Sequence, residues 1–345
     1  MADARRVVWV SQPLIDAVIE PLRAQVELIT TDAVTAWTPE QLAERLAGVD
    51  GAIITLNERI GAAQLAAAGR LQVIANVGVG YNNLDVDALS AAGILASNTP
   101  DVLTETTADM GFALLMAAAR RITESERWLR DGQWGQWSFQ TMLGADIHGS
   151  TLGILGMGRI GQGIARRGAH GFGMRVLYHN RSRLPAATEA DVGAQYAELD
   201  ALLAQSDHLV LVLPYTAASH HLIDAAALAK MKPTATLVNI ARGRIADELA
   251  VAGALAHGRL AAGGVGVYEG EPQVRPELLA LRNVVLTPHI GSASLGTRKA
   301  MVQLAADNLL AALGVAGEAT RMPSAINADA ALAARAASGD KSKKR

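Results

Sequence analysis

Three polar side chains stand just past β-forming runs in the second half of the chain. Arg242 follows Val238-Asn239-Ile240-Ala241 and precedes Gly243; Glu271 precedes Pro272 and follows a run ending near Val267; His289 follows Leu286-Thr287-Pro288. In an open parallel sheet, ligands gather at the carboxyl ends of strands, so the three groups arrive on one edge. Histidine titrates near neutrality and can give a proton to an oxygen that gains charge. A carboxylate on its other ring nitrogen fixes the ring and favours imidazolium, each pKa unit being worth about 1.4 kcal/mol. A positioned acid contributes on the order of 100- to 10,000-fold. A guanidinium grips a carboxylate and a polarised carbonyl together. Such a set suits hydride reduction of a 2-keto acid, whose carbonyl oxygen becomes an alkoxide. Taken singly, each residue has a plainer reading, as a structural ion pair or a satisfied core histidine. Convergence on one edge argues for chemistry.

The hydride source is written upstream. Thr151 to Leu155 reads as an apolar strand that runs into Gly156-Met157-Gly158-Arg159-Ile160-Gly161 and a helix from Ile160 to about His170. This is G-x-G-x-x-G between strand and helix, the pattern that seats a dinucleotide pyrophosphate on helix N–H groups. A second strand, Met174 to His179, ends at Asn180-Arg181-Ser182-Arg183. An NAD site usually carries Asp or Glu there for the ribose 2′-OH. With no carboxylate and two guanidiniums available to a 2′-phosphate, NADP(H) is favoured, NAD(H) remaining possible. A second glycine loop, Asn76-Val77-Gly78-Val79-Gly80, follows a strand read at Leu71–Ala75. Its N–H groups form either a nest for a small carboxylate or a plain tight turn.

The elements that must position these residues alternate along the chain. Strands are predicted at Val7–Val10, Val26–Ile29, Ala52–Thr55, Leu71–Ala75 and Ile94–Ala96, then His208–Leu213, Thr236–Ile240, Ala262–Val267 and Val284–Leu286. Helices are predicted at Thr104–Arg121, Leu199–Gln205, Asp224–Lys230, Asp247–His257 and Leu295–Leu313. Thr38-Pro39-Glu40-Gln41 has the form of a capping box. The pattern is α/β with parallel sheets. Because the dinucleotide motif begins mid-chain, the layout expected is two Rossmann-like domains, a doubly wound parallel-sheet dinucleotide domain (100–287) inserted into a smaller, flavodoxin-like substrate domain (1–99 and 288–327). The X-Pro pairs at Thr99-Pro100 and Thr287-Pro288 mark the boundaries. Residues 328–345 read as a frayed helix and flexible basic tail. Trp128, Trp134 and Trp137 precede Leu143-Gly144, and buried core is their default reading.

Composition narrows the classes. The chain has 345 residues, half of them hydrophobic, a net charge of -2 and no cysteine. No disulfide, thiolate chemistry or zinc–thiolate site is possible, and no metal site is expected. No basic stripe suggests nucleic acid, no apolar run suggests a membrane span, and Met1 to Arg6 lacks a leader's apolar region, so a cytoplasmic protein is expected.

These motifs together resemble the D-2-hydroxyacid dehydrogenase family, most closely its glyoxylate/hydroxypyruvate and 2-ketogluconate reductase branch. The matching stretches are Asn76 to Tyr81, Asn98-Thr99-Pro100 with Thr107-Ala108-Asp109, Leu152 to Arg183, Asn239 to Gly243, Glu269-Gly270-Glu271-Pro272 and Thr287 to Gly291. The resemblance implies Arg242 as substrate anchor, Glu271 as partner of the catalytic histidine and His289 as general acid/base. It implies that the Val77-Gly78-Val79-Gly80 backbone holds the substrate carboxylate in an interdomain cleft; apart from the resemblance, Leu56, Asn57 and Glu58 are candidate pocket residues. Thr107, Ile240, Ala241 and Gly291 match cofactor positions, Thr107 and Gly291 near the nicotinamide; Leu213-Pro214 matches a loop beside the adenosine. A homodimer is implied, with Trp137 reaching the partner's pocket. Where the family carries Leu-Asp-Val-Phe-Glu, this chain reads Val265-Gly266-Val267-Tyr268-Glu269, so Gly266 replaces an acceptor expected to hold the nicotinamide carboxamide. Phosphoglycerate dehydrogenase and nicotinamide-sensing corepressors are the alternatives within the same frame.

Overall fold

A computed structural model describes residues 5–315 and 321–342, with side chains of the last helix described to 337. The chain divides into two compact units, one of Met1–Leu103 with Ser294–Arg345 and one of Thr104–Ala293. The first holds a five-stranded parallel sheet of β1 (Val7–Val10), β2 (Glu27–Ile29), β3 (Gly51–Ile54), β4 (Val73–Asn76) and β5 (Leu95–Ser97), in the order β2-β1-β3-β4-β5. This is the flavodoxin-like order, which reverses between β1 and β3. All-parallel strands are covered on both faces, so they read as continuous apolar runs. Accordingly β3 and β4 are buried throughout. The helix Pro39–Ala47 starts as expected: Thr38 accepts from the Gln41 amide, the Gln41 side chain returns to the Thr38 amide, and Pro39 opens the helix. The helix Leu295–Leu313 packs on β3 so closely that a Cβ at Gly51 would lie 3.2 and 3.3 Å from Leu309 and Leu313.

Where the sequence suggested a tail, Ala328–Ser342 is helical. Its Ala331 is fully buried, and Arg335 donates to the carbonyls of Gly93 (2.5 Å) and Gln72 (2.6 Å). An alanine-rich face can press close to a neighbour, and the Arg335 guanidinium satisfies carbonyls at the edge it covers. The basic residues 343–345 lie outside the described residues.

The second unit holds seven parallel strands: β6 (Thr151–Leu155), β7 (Arg175–His179), β8 (Ala194–Tyr196), β9 (His208–Leu211), β10 (Thr236–Asn239), β11 (Ala262–Val265) and β12 (Val284–Leu286). Their order is β12-β11-β10-β9-β6-β7-β8, the doubly wound dinucleotide order with one strand added, reversing between β6 and β9. The helix Thr104–Ala119 lies against this sheet. Gly264 of β11 lets it approach, since a Cβ there would sit 3.2 Å from the Leu114 side chain and carbonyl. That helix stops short of the expected end because Arg121 turns to φ +55° before a second helix, Ile122–Arg130. The helix after the glycine loop runs Arg159–Arg166 and finishes as a π turn, Arg167–Gly171. Among the described residues no helix is long and apolar enough to cross a membrane, and no cluster of His, Asp and Glu has the form of a metal site.

Candidate active site

Arg242, Glu271 and His289 all lie past strand ends of the second unit, after β10, β11 and β12. His289 Nδ1 is 2.8 Å from Glu271 Oε2, and Glu271 Oε1 accepts the Tyr268 amide at 2.9 Å. Each pair side chain is about one third exposed, so the imidazole reaches solvent while its inner nitrogen is held. Burial alone would raise the Glu271 carboxyl. The His289 hydrogen bond and charge, the Tyr268 amide and the Arg242 charge outweigh it, and the group is held below its ordinary value. Glu271 is therefore a carboxylate at neutral pH, and the geometry makes Nδ1 the donor and leaves Nε2 for chemistry. His289 has φ +50°, a left-handed backbone that costs a non-glycine residue about 1 kcal/mol. Such outliers persist where their surroundings over-determine them.

Arg242 is partly buried, and its Nη1 donates to its neighbour's carbonyl, Ala241 O, at 2.7 Å. Burial lowers the guanidinium from its ordinary value and the charge of Glu271 opposes this. Arginine nevertheless stays protonated. The turn is built by Asn239, whose Oδ1 accepts the Ala241 amide (3.1 Å) and whose Nδ2 donates to Arg242 O (3.1 Å). Two residues that the sequence reading names without a role help to build this site. A Cβ on Gly243 would fall 2.0 Å from the Tyr268 carbonyl carbon, so only glycine lets the Arg242 turn lie on the loop leading to Glu271. Tyr268 is buried, its hydroxyl donating to Val265 O or Thr287 O and pushed up to about 12, chiefly by burial.

The dinucleotide cradle has the required shape. Gly156 turns at φ +103°, and a Cβ there would strike the Leu213 backbone at 2.7 Å. A Cβ on Gly161 would lie 2.2 Å from Gly156 O, whereas one on Gly158 would meet nothing within 4 Å. The first and third glycines are thus required by packing and the second opens onto free space, as close approach of a pyrophosphate demands. Arg159 is exposed and Ile160 half-buried at the helix start, and Pro214 is exposed in the adjoining loop. Thr107 is buried on the helix Thr104–Ala119, and a Cβ on Gly291 would contact its methyl at 3.4 Å, so these two meet. Ile240 packs over Gly111, and Ala241 is buried. These residues fit a nicotinamide dinucleotide.

At the end of β7 the structure changes two expectations. Asn180 turns inward, its Oδ1 accepting the Met157 amide at 2.7 Å, so it closes the glycine loop. Arg183 is not free for a phosphate. Both arms of its guanidinium pair with Glu189 at 2.8 Å, and Tyr178 donates to the same carboxylate at 2.7 Å. These two contacts draw Glu189 down to about 2. Ser182 is exposed, and so is Arg181, which makes no ion pair among the described residues.

In the first unit, Glu58 is buried and is no pocket residue. It accepts from Ser11 Oγ (2.8 Å), Gln12 Nε2 (2.5 Å), Thr55 N (2.7 Å) and Thr55 Oγ1 (2.9 Å), joining the ends of β1 and β3. Asn83 donates to Thr55 O, Glu58 O and Asn76 Oδ1, and Asn76 donates to Gly80 O, which shapes the Val77–Gly80 loop. Leu56 leans on that loop: a Cβ on Gly78 would come within 2.9 Å of it. The Val77 amide donates to Ile54 O and the Gly78 amide to Asn76 O. The loop amides without a protein acceptor among the described residues are those of Val79 and Gly80.

The tryptophans do not form core. Trp134 is 53 % and Trp137 69 % exposed, with Trp137 edge-on to the exposed Phe139 at 4.7 Å, and Leu143 is exposed beside them in sequence. Trp134 and Trp137 lie in segment 131–150, which has no helix or strand whose face could bury them, whereas Trp128, on the helix Ile122–Arg130, is half-buried.

Comparison with known proteins agrees with this geometry. Residues 112–291 match the family model of the D-isomer specific 2-hydroxyacid dehydrogenase NAD-binding domain. The chain is similar to a glyoxylate reductase of Thermococcus onnurineus, 46 % identical over 297 residues that cover 85 % of this chain and 88 % of that one. It is also similar to a glyoxylate/hydroxypyruvate reductase B of Enterobacter agglomerans, 43 % identical over 297 residues, 85 % and 92 % of the two chains. Among solved structures it matches a glyoxylate reductase from Paecilomyes thermophila (TM-score 0.83, 35 % identity, 93 % and 98 % covered). A second match is the NADPH-dependent glyoxylate/hydroxypyruvate reductase of Sinorhizobium meliloti in complex with NADP and malonate (TM-score 0.80, 32 % identity, 94 % and 97 % covered). The chain therefore belongs to the D-2-hydroxyacid dehydrogenase family, in its glyoxylate/hydroxypyruvate reductase branch, and is an NAD(P)-dependent dehydrogenase.

Proposed function

We propose that the chain reduces small 2-keto acids, namely glyoxylate, hydroxypyruvate and 2-ketogluconate, to D-2-hydroxy acids, with NADPH preferred over NADH. The observation that carries the reading is the 2.8 Å pair of His289 and Glu271 beside the charge of Arg242. Bound NAD(P)H supplies the hydride. His289 gives its Nε2 proton to the keto oxygen as that oxygen gains charge, and Glu271 stabilises the imidazolium until then. Arg242 draws on the substrate carboxylate and polarises the carbonyl. The substrate carboxylate is assigned to the Val77–Gly80 loop, where the Val79 and Gly80 amides, which have no protein acceptor among the described residues, are the donors. The balance is keto acid, NAD(P)H and one proton in, hydroxy acid and NAD(P)+ out.

The preference for NADPH rests on Arg181 and on the lack of a carboxylate among Asn180, Arg181, Ser182 and Arg183. A homodimer rests on the exposed Trp134, Trp137, Phe139 and Leu143, an apolar set that a second copy would cover, with Trp137 entering the partner's pocket. One panel tests the whole reading: oxidation of NADPH and of NADH with each of the three keto acids. Turnover on at least one, faster with NADPH, is expected. Tight dinucleotide binding without turnover on any of them would instead favour a cofactor-sensing protein.

A further inference from the structure

The turn that carries Arg242 and the loop that carries Glu271 are joined by a residue for which the reaction itself has no use. His221 lies in the segment after β9 with φ +48°, a backbone state that glycine or asparagine adopts more easily. Its amide donates to Arg244 O at 2.8 Å. The chain then continues beside the Arg242 turn, with Ile223 N donating to Ile245 O (3.1 Å) and Asp247 N to Ile223 O (3.0 Å). On its other side, His221 Nε2 is 2.6 Å from Glu269 Oε1, two residues before Glu271. Arg275 is 3.6 Å from Glu269 Oε2, too long for a hydrogen bond, so His221 supplies the short contact to this carboxylate. The Glu269 amide is fixed by Glu248 Oε1 at 2.6 Å, and His220 stacks on the His221 ring at 4.0 Å. The same Tyr268–Glu269 peptide is the one on which Gly243 closes.

We propose that His221 is a positioning residue for the proton-transfer pair, clamping the turn of Arg242 to the loop of Glu271 through its backbone on one side and its ring on the other. The inference rests on the catalytic reading of Arg242, Glu271 and His289 given above. The ring and the backbone of one residue hold two strand-end loops in register, so a change in the ring loosens the spacing of Arg242 and Glu271 without touching either.

His221→Asn is the informative variant. Asparagine tolerates the left-handed backbone and keeps the amide but is too short to reach Glu269. The expected result is a fall of about tenfold in kcat for keto-acid reduction and an acidward move of its alkaline limb, with Tm nearly unchanged; a tenfold change is about 1.4 kcal/mol of barrier. His221→Gln, which can still donate to Glu269, restores most of the rate. In a Glu271→Gln background His221→Asn moves the limb no further, the mark of two residues acting through one contact. Where Glu271→Gln itself moves the limb, an unmoved limb in His221→Asn, or no rescue by glutamine, overturns the proposal. Hydrogen exchange on the free protein gives an independent readout. Exchange at 242–245 and at 268–271 rises together in His221→Asn if the clamp exists, and its rising in one segment or neither overturns it. If Glu271→Gln alone leaves the pH profile unmoved, the catalytic reading fails, and the exchange result still decides the clamp.

Discussion

Replacing Glu271 by glutamine separates charge from shape. The carboxylate serves two donors, His289 Nδ1 at 2.8 Å and the Tyr268 amide at 2.9 Å. A carboxamide has one oxygen; whichever donor it serves, its NH2 faces the other, donor against donor. A hydrogen bond to a charged group contributes about 1.5–3 kcal/mol. The pair side chains are 34 % and 35 % exposed, so solvent screening places the effect at the low end, about 1.5 kcal/mol. The imidazolium of His289 is destabilised by that amount. Reduction needs imidazolium, so kcat is expected to drop about tenfold near neutrality and its alkaline limb to move to lower pH. Oxidation of the hydroxy acid needs neutral imidazole and is expected to lose less. The Glu271 carboxyl is held below its ordinary value of 4.5, so its own protonation limits the parent enzyme only in more acid solution. The assay is dinucleotide oxidation followed between about pH 5 and pH 9, with deuterated dinucleotide to show that hydride transfer limits the rate and Tm as a control on folding. An alkaline limb that stays in place, or a loss equal at every pH, would refute the charge argument and reduce Glu271 to a spacer.

Gly266→Asp tests the departure from the family pattern. A Cβ there meets Leu114, Thr287 Oγ1 and Asn239 O at 3.4 to 3.6 Å, all ordinary contacts, and the buried Thr287 hydroxyl has no hydrogen-bond partner among the described residues, so the variant is expected to fold and to lower the dinucleotide KM several-fold. An unchanged or raised KM would show that position 266 does not serve the cofactor. Arg181→Gln is expected to raise the NADPH KM about tenfold and leave NADH nearly unaffected, the loss of one charge-assisted contact in a solvated place. Equal effects on both dinucleotides would remove Arg181 from the 2′-phosphate. His208 is fully buried, its Nδ1 unpartnered and its Nε2 3.1 Å from Asp146 O, and burial lowers it below 6.5 against the opposing Asp146 carbonyl and Asp207 charge. As pH falls below 6.5 the unfolded chain takes up a proton that the folded chain refuses, so stability declines. The difference in Tm between about pH 7.5 and about pH 5.5 is therefore expected to shrink in His208→Gln, and an unchanged difference would place the acid sensitivity elsewhere.

What the chain disclosed before folding, and what it withheld, divides along a physical line. Strand ends were legible because apolar runs stop where β6, β10 and β12 stop, and chemistry at a parallel sheet gathers there. Partners were not. Arg183 looked available, yet Glu189 lies one helical turn into a short segment whose periodicity is too brief to read, and the pair forms only once Ala186–Val192 is a helix. The edge strand β8 was missed for a similar reason: Ala-Gln-Tyr gains its extended form from pairing with β7 and carries almost no signal of its own. The contact of His221 with Glu269 spans 48 residues and no local pattern announces it.

Glycine offers a way across this line. At Gly156, Gly161 and Gly243 a Cβ would lie 2.0 to 2.7 Å from backbone of a segment distant in sequence or across the turn. The first two were legible because they recur at fixed spacing after a strand, whereas Gly243 stands alone, and its sequence context names it without showing what it lies against. Its constraint is as severe, since it brings the Arg242 turn onto the peptide that leads to Glu271. A glycine directly following a strand-end arginine thus carries information about what that arginine lies against. Side-chain inventories at such edges miss it, because the contact is made by backbone and the residue that permits it contributes no side chain.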